Sequence, residues 1–126
     1  MNTALWIIAG LLAVIFLAAG AMKLVKPKAE LAANPNMAWS ADFSPAAIKT
    51  IGALEVLAAI GLVAPAALGI VPVLVPVAAL GIVALMIGAA ITHARRKETQ
   101  SVGLNVALLV LAAVVAWGRF GPYPFA

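Results

Sequence analysis

The chain has 126 residues, 66% of them hydrophobic and only 10% charged, with a mean hydropathy of +1.17. A water-soluble domain of this size cannot bury so much apolar surface, so the composition reads as an integral membrane protein, counted as a single domain. The net charge of +4 comes from eight basic residues mostly placed at the ends of apolar runs, where topology and anionic lipid explain them without a nucleic-acid partner; the lack of cysteine excludes disulfides, thiolate metal sites and thiol catalysis.

The first apolar run, about residues 3–24, has roughly the twenty residues that cross ~30 Å of hydrocarbon. It lacks the basic leading region of a secretory signal and so reads as a span rather than a cleaved leader. Lys23, Lys26 and Lys28 close it, and Pro27 forbids its continuation. Residues 26–43 form the longest polar stretch, in which Trp39 is expected at headgroup depth. Ser44-Pro45 then starts the second span in the expected way, a hydroxyl cap followed by proline in the first turn. That span is expected to end near residue 64, before Pro65.

With Pro76 in its first turn, the third span covers about residues 75–94, and Ala84-x3-Gly88-x3-Thr92 offers a small-residue packing seam. Ser101 is the expected cap of a fourth span, about residues 101–117, followed by an aromatic, proline-broken tail to Ala126. The fold class is therefore all-α, a polytopic up-and-down bundle of four transmembrane helices. Seven basic residues fall in the first and third connections and only Arg119 on the opposite side. The positive-inside rule places both termini outside and both basic loops in the cytoplasm.

Glu55 is the only charged side chain between Thr50 and Thr92. A carboxylate inside an apolar span costs about 2.5–3.5 kcal/mol on insertion scales, so it requires a partner, a proton or a wet cavity. Ile48, Gly52, Glu55, Ala59 and Leu62 share one helical stripe, whose small residues suit close approach of another helix. Lys23, Lys49, His93 and Asn105 fall in the same half of the bundle, which implies a polar-ended cavity around Lys23 and Glu55. Each has a plainer reading as well: snorkelling for Lys23 and Lys49, a helix end for His93, interhelical hydrogen bonding for Asn105, and a packing acid for Glu55. Lys23 is the better counter-charge for Glu55, and the difference in their depths predicts a meeting through water or a ligand head group. No metal site is indicated: a single histidine cannot build a multi-histidine centre, and no metalloprotease, phosphate-loop or dinucleotide motif occurs. The residues identify no cofactor.

Gly20-Ala21-Met22-Lys23-Leu24, Gly52-Ala53-Leu54-Glu55-Val56-Leu57 and Trp117-Gly118-Arg119-Phe120-Gly121 together resemble the DoxX-like family of small four-helix bacterial membrane proteins. The resemblance spans essentially the whole chain and implies that Lys23 and Glu55 correspond to the family's polar pair, in a bacterial inner membrane. The family takes its name from a subunit linked to thiosulfate:quinone oxidoreduction, but no redox-active residue here supports carrying that reaction over. Three functional readings follow. The leading one is binding of a lipid or quinone-like ligand by Lys23, Glu55, Asn105, His93 and Lys49. The others are a membrane enzyme using Glu55 as general acid or base on an apolar substrate, and an accessory subunit of a membrane redox complex, with a membrane protein partner or a second copy docking on its small-residue faces.

Overall fold

The computed structural model describes residues 2–124, with the side chains of Pro35 and Asn36 excepted, so Phe125 and Ala126 of the aromatic tail lie outside the described residues. Within that range the protein is all-α. Four long helices, α1 (Asn2–Val25), α3 (Pro45–Leu68), α4 (Leu74–Arg95) and α5 (Thr99–Phe120), are each long and apolar enough to cross a membrane. The connection between the first two holds a short helix, α2 (Lys28–Ala33), and a kinked 3-10 stretch, Pro35–Asp42. Only 28–33% of each span's apolar window is buried inside the protein, so the rest requires lipid rather than water.

The helices form an antiparallel ring in which α1 packs on α3, α3 on α4, α4 on α5 and α5 back on α1. The α1–α3 and α4–α5 pairs are the intimate ones. Backbone contact makes the first of these possible. A methyl group on Gly20 would sit 2.6 Å from the Gly52 carbonyl oxygen, and one on Gly52 would sit 2.8 Å from Lys23 Cβ. Val56 also reaches Gly20 and edges this crossing. All five members of the Ile48–Leu62 stripe are buried, as their helical spacing predicts. Leu5, Leu12, Phe16, Leu62, Val75, Ile82 and Val115 fill the middle of the bundle and the end away from the basic loops. At that end Arg119 is buried and donates to Asn2 Oδ1 (2.7 Å) and to the Tyr123 carbonyl (3.0 Å), tying the close of α5 to the start of α1.

Helix boundaries follow local chemistry, with three departures from the sequence expectation, one being that α5 runs on past residue 117 to Phe120. Ser44 caps α3 as expected, its hydroxyl accepting from the Ala47 N–H at 3.1 Å. Pro65, however, does not end α3. The helix continues to Leu68 and stops at Gly69, which takes a left-handed backbone (φ 69°) and donates to Ala66 O. In an apolar surrounding, leaving the next backbone groups unpaired costs more than the one hydrogen bond proline removes. The third departure is Ser101, which caps nothing. α5 begins a half-turn earlier, with the Glu98 carbonyl accepting from Val102 N–H and the Glu98 side chain turned away to His93 and Arg96.

Candidate functional site

The end of the bundle that carries the basic loops holds the polar interior. Lys23 stands in the last turn of α1 and Glu55 about 15 Å into α3, at 1.5 Å per residue. Side chains on a helix lean toward its N-terminus, which for Lys23 is deeper into the bundle. The lysine stem therefore spans the depth difference. Its Nζ lies 2.8 Å from Glu55 Oε1, with both side chains almost fully buried. This corrects the expectation of a meeting through water or a head group: the Gly20–Gly52 crossing brings the two backbones close enough for a direct ion pair. The angles are not those of a hydrogen bond, so Oε1 carries no well-directed donor. Nζ is also 3.5 Å from the Ala19 carbonyl and 5.6 Å from the centre of the Trp39 ring, a cation–π arrangement.

The pair forms part of the wall of a cavity of about 1200 Å³. His93 and Asn105 share that wall, so four of the five predicted ligand residues are brought together. Lys49 is not among them. Its ammonium donates to the Leu24 carbonyl at 2.9 Å, occupying one of the acceptors orphaned at the end of α1. His93 Nδ1 lies 3.0 Å from Glu98 Oε1 and its ring meets Trp39 edge-on at 6.3 Å. Asn105 is buried in the second turn of α5, and its amide nitrogen has no hydrogen-bond partner among the described residues. Away from these groups the cavity is lined by aliphatic and small residues, reaching Leu74 at the far end of α4. From His93 to Leu74 the lining follows α4 for roughly 28 Å at 1.5 Å per residue.

The sequence missed three contributors. Met37, Trp39 and Phe43, all from the polar connection, line the cavity at its basic end, with the two aromatic rings edge-on at 5.6 Å. The available signal was position: this segment joins spans on the side where the polar residues gather. Arg96 holds it in place, donating to Asp42 Oδ2 at 2.7 Å, and that hydrogen bond raises the guanidinium above its usual pKa and keeps it charged. The Ala84–Gly88–Thr92 seam is also corrected. Ala84 and Gly88 are exposed and Thr92 half-buried, all three line the cavity, and among the described residues nothing stands within 4 Å of where a Gly88 Cβ would be. Among the described residues, no three of His, Cys, Asp and Glu gather closely enough to hold a metal ion.

A model of the DoxX-like family matches residues 7–115, most of the chain and all four spans. The chain belongs to the DoxX-like family. Among curated proteins and solved structures no match accompanies that family assignment. The DoxX-like stretch contains Lys23, Trp39, Glu55, His93 and Asn105, whereas the Trp117–Gly121 motif falls beyond it. The protein is a multi-pass DoxX-like membrane protein with four apolar helices.

Proposed function

We propose that this DoxX-like protein binds a hydrophobic or amphiphilic small molecule, a lipid or a quinone-like compound, in the cavity bounded by Lys23, Glu55, Asn105 and His93. One observation carries the reading: a large, mostly apolar cavity has all its buried ionisable and amide groups at one end. Ligand pockets are typically apolar with a few convergent polar groups and about 300–1000 Å³ in volume. The aliphatic length takes a chain or ring system, and the polar end takes its head. Glu55 serves here as an anchor, since its carboxylate faces an ammonium at 2.8 Å. Organic extraction of the purified protein followed by mass spectrometry tests the proposal. The expected result is one co-purifying apolar molecule, depleted in Glu55→Leu and in Asn105→Leu. Identical extracts from the wild type and both folded variants overturn it.

The basic loops belong in the cytoplasm of a bacterial inner membrane, with both termini outside. The seven-to-one distribution of basic residues supports that orientation. Cysteines at Ala33 and Thr99 should react only from the cytoplasmic side and one at Pro124 only from outside; the reverse pattern inverts the assignment.

A further inference from the structure

We infer that the cavity is built for an amphiphile whose head group carries no net charge and hydrogen-bonds the Asn105 amide, and that this molecule enters sideways from the bilayer between α3 and α4. The inference rests on the proposed ligand-binding role and names the class of ligand. Its first support is charge. The ionisable groups at the polar end already have partners: Lys23 faces Glu55 at 2.8 Å, and His93 meets Glu98 at 3.0 Å. A charged head group would have to break the buried Lys23–Glu55 pair or remain uncompensated in a poorly solvated site. An uncharged head has neither difficulty.

The second support is the Asn105 amide, which lies on the cavity wall and whose nitrogen has no hydrogen-bond partner among the described residues. Buried donors are rarely left unmatched, because desolvation without a replacement bond is costly. An uncharged carbonyl or hydroxyl on the ligand pairs with this amide, one end of which donates and the other accepts. The head group is therefore an uncharged polar group that pairs with the Asn105 amide.

The route follows from the glycines of α4. Gly81 and Gly88 line the cavity, are exposed, and among the described residues have nothing within 4 Å of where a Cβ would stand. Across the gap, Leu54 and Leu57 of α3 are also exposed and also line the cavity. These four positions lie within spans whose outer surfaces need lipid, so the opening faces hydrocarbon. The loop end is crossed instead by Trp39 and Phe43. An apolar chain passing between α3 and α4 never has to leave the bilayer.

Native mass spectrometry of the whole protein in a mild nonionic detergent tests both parts. Three probes of matched chain length are offered at equal low concentration: 1-palmitoylglycerol, hexadecyl sulfate and hexadecyltrimethylammonium. Retention of the uncharged glyceride about tenfold above either charged probe is expected, and Asn105→Leu should lower it by about tenfold, the loss of one hydrogen-bonded anchor. Gly88→Leu, which fills open space, should fold normally and lose retention of the glyceride. Equal or stronger retention of a charged probe by the wild type overturns the head-group assignment while leaving amphiphile binding intact. Retention of none of the three overturns the ligand-binding role itself. A Gly88→Leu variant that retains the glyceride like the wild type overturns the lateral route. If Asn105→Leu does not fold, the ranking of the three probes on the wild type still decides the head group.

Discussion

The α1–α3 crossing and the α3–α4 gap are both lined by glycine, yet the residue does opposite work in the two places. At Gly20 and Gly52 the missing side chain lets two backbones touch, and the direct Lys23–Glu55 pair depends on that approach. At Gly81 and Gly88 no neighbour takes up the space, which becomes part of the cavity. Small residues in a membrane helix thus permit close packing without requiring it. Which outcome follows is decided by the neighbouring helix: α1 meets the Gly52 face directly, whereas α4 meets α3 closely at Gly61 and Ala78 and leaves the Gly81–Gly88 stretch uncovered.

The largest effect that would sharpen this contrast concerns the ion pair on the crossing. Lys23→Met leaves a buried carboxylate opposite nothing and should cost about 3–5 kcal/mol. The double variant Lys23→Met with Glu55→Leu should recover most of that loss, because an apolar pair of similar size needs no compensation. Thermal unfolding of the four proteins in one detergent measures the coupling. A coupling below about 1 kcal/mol, the range of exposed pairs, would mean that the two groups do not meet directly.

Next comes the crossing itself. Gly52→Leu forces a side chain into Lys23 Cβ and the Gly20 carbonyl, and should destabilise by about 1–3 kcal/mol or prevent assembly altogether. The same detergent melt reports it. A melting temperature equal to that of the wild type would mean that the two backbones do not touch. The smallest stability effect belongs to the gap, where Gly88→Leu should stay within about 0.5 kcal/mol of the wild type because a Cβ added there has no atom within 4 Å among the described residues. A loss as large as that of Gly52→Leu would show that the gap is packed, and would remove the distinction between the two regions.

The sequence alone determined the class of molecule and its polarity along the bundle axis. Four apolar runs of spanning length admit only helices in a bilayer, since every backbone polar group there must be satisfied within its own segment. A lone carboxylate in one such run is visible without a structure, and helical periodicity correctly set it on the buried stripe with Gly52 and Ala59. The tertiary structure decided everything that depends on how near one helix comes to another. Spacing along a helix cannot say that Gly52 receives α1 while Gly88 faces empty space, because both are glycines among aliphatic neighbours. Nor can depth counted in residues say that Lys23 reaches Glu55, since that contact depends on the lean of the side chain and the proximity of two backbones. Trp39 was hidden for the same reason: its place over Lys23 and beside His93 is fixed by a kinked connection and the Arg96–Asp42 bond, both long-range facts that local sequence does not encode.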